Sequence, residues 1–258
     1  MNILNYGAKF VKMREIGAIT ARCLDWLEIY IEPGISTADI DNEVLHFQQT
    51  YQVENAQYGY RFHQSDRPFP GHCCTSVNKV LCHGIPSPDE VLNDGDIVTV
   101  DITFKSKDGY HGDAARTYIV GQVPQNVRHF VEVSQCALQI GLQQCFPGNK
   151  IGNIGKYIEE YIAHNKMHVA EEFVGHGIGL QFHESPSIPH FLVEESKSLS
   201  ASTRMEPGQT FTIEPIITMH KTRHKLKNDG WSVICKSLAA QFEATVGINE
   251  ENYEVFCK

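Results

Sequence analysis

Long apolar runs and paired-cysteine motifs are absent from this sequence of 258 residues. No run approaches the roughly 18 apolar residues that a membrane helix needs, and the segment 1–10 has no apolar core of signal-peptide length. We therefore expect a cytoplasmic protein with neither an export signal nor a membrane span. The eight cysteines form no CxxC pair, so we expect reduced thiols rather than a disulfide framework.

Positive charge is also scarce. The formal net charge is -9, and the basic residues that stand out form one short cluster in the segment 221–227. A nucleic-acid-binding domain usually carries a broad basic face, so we do not expect a nucleic-acid partner. A local patch of this kind can still contact a ribosome, which we keep as a candidate partner.

A flexible linker is missing as well. With 41% hydrophobic and 21% charged residues, the composition is that of an ordinary soluble globular protein, and the chain is long enough to bury a substantial core. We therefore predict a single domain over residues 1–258.

Helical patterns recur at similar places in the two parts of the chain. Apolar residues at three- and four-residue steps predict an amphipathic helix over 10–31. Ser36 begins a second helix, and Asp39 three residues later predicts a capping box. The same period predicts helices over 127–142 and 151–162.

Two aspartates flank a turn signal in the middle of the first half. Residues 98–103 alternate apolar and polar side chains, which predicts a strand, and Asp108-Gly109 predicts the turn of a hairpin. A hairpin centred on Lys107 places Asp101 opposite Asp113, with the side chains roughly 5 Å apart. Carboxylates this close repel unless a proton or a cation lies between them. The alternative is a surface hairpin that carries two acids by chance.

The second half repeats this arrangement with glutamates. Glu214 lies within a predicted strand over 210–218, and Glu243 lies within another over 240–246. The turn signal at 228–230 falls about midway between the two glutamates. A second hairpin would therefore bring two more carboxylates together.

Three landmarks repeat at offsets of 113 or 114 residues. The matched landmarks are Pro33-Gly34 with Pro147-Gly148, Gly95 with Gly208, and Asp101 with Glu214. These offsets favour an internal duplication with halves of roughly 8–121 and 126–250. Two such halves placed face to face would gather four carboxylates at one centre.

Four clustered carboxylates require cations to stay ionised. Repulsion and desolvation would otherwise raise their pKa values. His176, flanked by glycines in the segment 175–179, is the best candidate for an imidazole ligand, although a lone histidine is more often structural. His83 and His183 are candidate donors to a developing oxyanion. Mixed oxygen and imidazole ligation suits Mn, Fe, Co or Zn.

Such a centre can perform hydrolysis. Two metals about 3.5–4 Å apart can share a water, lower its pKa and polarise a carbonyl. This chemistry suits amide or ester cleavage, and on metal grounds alone phosphate esters are equally compatible.

Ten short segments spread over nearly the whole chain resemble the type I methionine aminopeptidases. They are Lys12-Met13-Arg14, Pro33-Gly34-Ile35-Ser36-Thr37, Ser76-Val77-Asn78, Cys82-His83-Gly84-Ile85-Pro86, Val100-Asp101-Ile102, Gly109-Tyr110-His111-Gly112-Asp113, Gly175-His176-Gly177-Ile178-Gly179, Phe182-His183-Glu184-Ser185-Pro186, Phe211-Thr212-Ile213-Glu214-Pro215 and Gln241-Phe242-Glu243. The resemblance implies the α+β pita-bread fold, in which two pseudo-symmetric halves of helices pack on a curved, mainly antiparallel sheet. It also implies a monomer that removes the N-terminal methionine of nascent proteins and peptides when the second residue is small.

The resemblance further implies two divalent metal ions (Co, Mn, Fe or Zn) held by five residues. Asp113 and Glu243 would bridge the metals, Asp101 would complete one metal's ligand set, and His176 with Glu214 would complete the other's. In the family mechanism, a bridging water or hydroxide attacks the carbonyl carbon of the methionine, with Glu214 as proton shuttle.

Further residues match the substrate site of that family. His183 would stabilise the oxyanion, and His83 would lie near the scissile amide and the free amine. The methionine pocket would comprise Tyr60, Cys74, Phe182 and Trp231, because an aromatic slot suits a thioether. Ordinary core packing is the alternative role for each pocket residue.

Three departures from the family pattern put the rate and substrate range in question. Ala244 replaces the usual His after Glu243, which removes a hydrogen-bond partner of a kind that can matter about 10–100-fold. Lys79 replaces the usual Glu, and 61–70 resembles an insertion at the pocket rim. We expect the core to act alone, without a zinc-finger extension.

Two alternatives remain open at the sequence level. One is a proline-directed peptidase of the same fold, such as an aminopeptidase P or a prolidase. The other is a catalytically weak relative that acts as a binding protein at the ribosome.

Overall fold

Helices and short strands alternate along the chain. The computed structural model describes residues 6–194, 196 and 198–258. Over these residues the helices are α1 (Tyr6–Leu27), α2 (Thr37–Tyr51), α3 (Gln125–Leu142), α4 (Gly152–His164) and α5 (Leu199–Ser202). The strands are β1 (Glu54–Asn55), β2 (Cys74–Val77), β3 (Val80–Cys82), β4 (Ile97–Lys105), β5 (His111–Ile119), β6 (His168–Val169), β7 (Gly175–Gly177), β8 (Glu184–Ile188), β9 (Thr210–Ile213), β10 (Ile216–Thr218), β11 (Lys225–Leu226), β12 (Val233–Ile234), β13 (Ala239–Gln241), β14 (Ala244–Ile248) and β15 (Tyr253–Cys257).

The four predicted helices are present, with boundaries shifted by up to four residues. α1 buries an apolar stripe that includes Met13, Ile16 and Leu24, as its period predicts. It ends at Leu27, however, so Ile31 packs from the following turn rather than from the helix. Pro33 disfavours helical backbone only at Glu32, so it bars the helix from continuing through that residue but does not set the end at Leu27.

The predicted capping box at the start of α2 is confirmed. The backbone N–H of Asp39 donates to Ser36 Oγ at 3.2 Å, and the backbone N–H of Ser36 donates to Asp39 Oδ2 at 2.8 Å. Two N–H groups that the helix leaves unpaired are thus satisfied.

The first sheet corrects the predicted register of the Asp101 hairpin. β1 and β2 flank β4, and β5 also pairs with β4. Asp101 lies opposite Ala115, and Asp113 lies opposite Thr103, so the turn is centred on Asp108 rather than Lys107. The two carboxylates are diagonal neighbours on one face of the sheet, a less direct arrangement than the predicted cross-strand pair but one still within mutual reach.

The glutamates of the second half lie where two ladders are interrupted. Ile213 pairs with Ala244, and Ile216 pairs with Gln241. The predicted strand over 210–218 is split into β9 and β10. The break includes Pro215, which has no N–H to donate to a ladder. Both registers place Glu214 directly opposite Glu243, as the predicted second hairpin requires.

The two parts of the chain share sheets and core. β3 of the first part pairs with β12 of the second, and the backbone N–H of Glu243 donates to the carbonyl of Ala115 at 2.9 Å. Ile97 belongs to the same buried apolar cluster as the side chains of α3 and α4. The metal-ligand candidates therefore lie where the two parts meet. Among the described residues, no helix is both long and apolar enough to cross a membrane.

Candidate metal centre

Five side chains, from strands or from residues next to strands, line one cavity. Asp101 lies on β4, Asp113 on β5 and His176 on β7, while Glu214 follows β9 and Glu243 precedes β14. All five line a cavity of about 400 Å³. The structure thus brings together the whole ligand set that the sequence predicts.

Three of these residues alone can surround one cation. Asp113, His176 and Glu243 each offer a ligand atom within 4.8 Å of the others. His176 Nε2 also lies 3.6 Å from Asp113 Oδ2 and 3.6 Å from Glu214 Oε1. The imidazole therefore faces two carboxylates at once.

The carboxyl groups are buried beside one another, and their protonation reflects this. Burial, with the negative charge of Asp113, raises the pKa of Asp101 and Glu243 well above the usual range. Burial and the charge of Asp113 also raise the pKa of Glu214, to about 7. Each shift disfavours the ionised form, and bound cations would reverse that preference.

His176 is oriented as a ligand. Its Nδ1 lies 3.0 Å from the carbonyl oxygen of Gly177, which only accepts, so Nδ1 carries a proton and Nε2 faces the acids. Burial lowers the pKa of His176, but the carboxylates of Asp113 and Glu214 outweigh it and raise the pKa to about 9. A hydrogen bond to the second ring nitrogen is the usual way in which a metal-binding histidine is held.

The donor chemistry fits divalent metal ions. Four carboxylates and one imidazole form a hard to borderline ligand set. The carboxylates are also held by neighbours, since Thr103 Oγ1 donates to Asp113 Oδ1 at 2.7 Å and Thr212 Oγ1 donates to Glu214 Oε1 at 2.8 Å. These contacts restrain the orientation of both carboxylates, as hydrogen bonds to metal-binding carboxylates commonly do.

Gln57 is a site residue that sequence reasoning missed. Its buried amide donates from Nε2 to Asp101 Oδ1 and to the Asp101 carbonyl, both at 3.1 Å. Its Oε1 accepts from the backbone N–H of Thr103 at 3.2 Å. No periodicity marks this glutamine, which lies at the start of an irregular segment.

The two additional histidines lie on the same cavity as neutral rings. Burial lowers the pKa of His83 to about 4. Burial, together with the positive charge of His176, also lowers the pKa of His183 to about 4. His183 Nδ1 is 2.9 Å from the Tyr60 hydroxyl, and its ring centroid is 4.2 Å from that of His176.

The four predicted pocket residues also line this cavity. Tyr60, Cys74, Phe182 and Trp231 lie together with the carboxylates, and the ring centroids of Tyr60 and Phe182 are 5.1 Å apart. Phe69, a residue outside the predicted pocket set, packs on Trp231 with ring centroids 5.2 Å apart. An apolar compartment thus adjoins the carboxylate cluster.

Two departures from the family pattern lie in different surroundings. Ala244 is fully buried in β14, opposite Ile213. Lys79 is exposed in the turn between β2 and β3 and does not line the cavity. Only the first of these substitutions adjoins the carboxylate cluster.

Known proteins resemble this chain in sequence and in structure. The sequence profile described as Metallopeptidase family M24 matches residues 11–250. Methionine aminopeptidase B of Synechocystis sp. is 38% identical over 246 residues, which cover 95% of this chain and 87% of that protein. Methionine aminopeptidase of Escherichia coli (strain K12) is 34% identical over 246 residues, which cover 95% of this chain and 89% of that protein. A solved methionine aminopeptidase from Rickettsia prowazekii matches with a TM-score of 0.90 at 33% identity, and the match covers 98% of each chain.

A buried carboxylate–imidazole centre on this α+β architecture defines a hydrolase that uses divalent metal. The chain belongs to Metallopeptidase family M24 and has its pita-bread fold. The family and fold class expected from the sequence are confirmed.

Proposed function

We propose that this protein is an aminopeptidase that removes the N-terminal methionine from peptides and nascent proteins with a small second residue. The observation that carries the proposal is that one cavity contains both an apolar aromatic compartment and the carboxylate cluster. A thioether side chain suits the compartment formed by Tyr60, Cys74 and Trp231. The adjoining acids are then next to the amide that follows the methionine.

Two divalent ions are proposed for the cluster. Asp113 and Glu243 would hold both ions, Asp101 would complete the ligands of one, and His176 with Glu214 those of the other. When bound, such ions supply a water of lowered pKa and polarise a carbonyl. Mn, Fe, Co and Zn all accept this donor set.

The protein's own side chains supply the remaining chemistry. Glu214, whose carboxylate lines the cavity beside His176, would accept a proton from water and pass it to the leaving amine. If the Tyr60 hydroxyl donates to Nδ1 of His183, Nε2 of that neutral ring keeps its proton and can donate to the developing oxyanion. His83, buried and neutral on the same cavity, would hold the scissile amide and the free amine.

We propose that residues 1–258 act as one catalytic domain built from halves of roughly 8–121 and 126–250. The pairing of β3 with β12 supports this, because it crosses between the halves. The residues of the centre come from both halves, so neither half would hold the metals alone.

The proposal is tested by amino acid release from matched peptides. The protein loaded with Mn²⁺ or Co²⁺ is expected to release methionine from Met-Ala-Ser and not to cleave Xaa-Pro peptides. Preferential cleavage of Xaa-Pro would instead support a proline-directed peptidase. Metal binding without any cleavage would support a binding protein.

A further inference from the structure

The segment 61–68, here named the rim loop, is held beside the cavity by hydrogen bonds. Its two ends are joined, since the N–H of Gly59 donates to the Phe69 carbonyl at 2.8 Å and the N–H of Phe69 donates to the Tyr60 carbonyl at 2.9 Å. Inside the loop, the Arg61 guanidinium donates to the carbonyls of Gln64 and Asp66.

The rim loop is also fixed to the wall of the pocket. Trp231 Nε1 donates to the Arg67 carbonyl at 3.0 Å. The rim loop is thus joined to this wall of the pocket by a hydrogen bond, in addition to the contact between the rings of Phe62 and Trp231.

Phe62 is the rim-loop residue that reaches the cavity. Its ring centroid lies 5.3 Å from that of Trp231 and 5.4 Å from that of Tyr60. It also lies 6.0 Å from the ring of His83 and 6.1 Å from that of His183. Phe62 therefore stands at similar distances from the two histidines that adjoin the carboxylates.

Phe62 is nevertheless outside the enclosed compartment. The residue remains 53% exposed, whereas Phe69 and Trp231 are buried. If methionine fills the compartment behind Tyr60 and Trp231, the exposed side of Phe62 borders one route by which the rest of the peptide can leave the cavity. A half-exposed aromatic ring at that position can limit the size of a side chain that lies against it.

We propose that Phe62 is a specificity-determining residue that contacts the second residue of the substrate and limits its size. This inference rests on the proposed methionine aminopeptidase function. It assigns the rim loop a role in selecting substrates, through one aromatic side chain held by the loop's hydrogen bonds.

The test compares two peptides and three variants of the metal-loaded protein. We measure kcat/KM for Met-Ala-Ser and Met-Val-Ser with Phe62→Ala, Phe62→Leu and Gln64→Ala. Phe62→Ala is expected to raise the Met-Val to Met-Ala ratio about tenfold, since a single methylene in an apolar site can discriminate by roughly 10–200-fold. Phe62→Leu retains apolar bulk and should move the ratio much less. Gln64, whose side chain is exposed on the same loop, is the control and should not move it.

A ratio within twofold of the wild type in Phe62→Ala would overturn the proposal. An equal loss on both peptides would also overturn it, because that result indicates a structural role. The wild-type rate on Met-Ala-Ser tests the proposed function separately, so the two failures are distinguishable.

Discussion

Glu214 is the carboxyl group whose protonation matters most for the proposed reaction. Its carboxylate lies 3.6 Å from His176 Nε2 on the cavity, where it can accept a proton from water and release it to the leaving amine. Glu214→Gln keeps the size of the side chain and its contact with Thr212, but it removes the exchangeable proton. We expect kcat on Met-Ala-Ser to fall by roughly 10²–10⁴-fold, the usual contribution of general acid–base catalysis.

The matched control for this substitution is Glu32→Gln, on the exposed segment between α1 and α2. It makes the same chemical change away from the cavity and should retain wild-type turnover. Thermal unfolding of both variants shows whether the fold is kept. Near-normal turnover by Glu214→Gln would remove Glu214 from the role of proton shuttle.

The residues of the centre could be predicted from the sequence where they stand in recognisable motifs, but not elsewhere. Asp113, His176 and Glu214 stand in short motifs that the resemblance identifies. Gln57 and Phe62 stand in an irregular segment with no period, and only the folded chain shows that one reaches Asp101 and the other lies near His183. Side chains placed by long-range packing leave no local pattern in a sequence.

At the scale of elements, the approach of α1 to the sheets depends on a glycine. A Cβ on Gly17 would clash with the carbonyl of Phe256 in β15, and a Cβ on Gly112 of β5 would lie 3.0 Å from the Cα of Gly17. Gly17→Ala should therefore cost roughly 1–3 kcal/mol, lowering Tm by roughly 2–10 °C. Differential scanning calorimetry measures this directly.

Gly7→Ala provides the comparison within the same helix. No atom lies within 4 Å of a Cβ built at Gly7, and alanine favours helix over glycine. Its Tm should equal or slightly exceed that of the wild type. Equal Tm values for the Gly17 and Gly7 variants would contradict the close approach of α1 to β15.

Element types were predictable, but some boundaries and registers were not. The capping box of α2 is a local signal, and both of its hydrogen bonds form. The register of the Asp101 hairpin depends on how the turn closes, and the partner of Asp101 is Ala115, two residues beyond the predicted Asp113. The break at Glu214-Pro215 reflects the missing N–H of proline, which the alternating pattern over 210–218 does not show.

For the whole molecule, metal binding should be coupled to pH. Asp101 and Glu243 have pKa values raised well above the usual range, and that of Glu214 is about 7. Because these groups bind protons more tightly when folded, their contribution to metal-free stability is present at low pH. This contribution is lost as the pH rises through their folded pKa values. For Glu214 the loss falls between pH 4.5, the ordinary pKa, and about pH 7, the pKa in the folded protein.

Metal ions bind deprotonated ligands, so they should offset this loss. We expect Mn²⁺ to raise Tm more at pH 8 than at pH 5.5, measured at one metal concentration. Glu243→Gln, which lacks one ligand, should show a smaller rise at pH 8. An equal rise in Tm at both pH values would contradict proton-coupled binding at this cluster.

The most direct test of the central claim is a metal titration of methionine release. The protein is stripped with a chelator, Mn²⁺ is added stepwise, and free methionine from Met-Ala-Ser is measured for the wild type and for Asp113→Asn. We predict no release from the stripped protein, a rate that rises with metal in the wild type, and little release by Asp113→Asn at any concentration. Equal release with and without metal, or no release by the wild type with any divalent metal tried, would contradict the account.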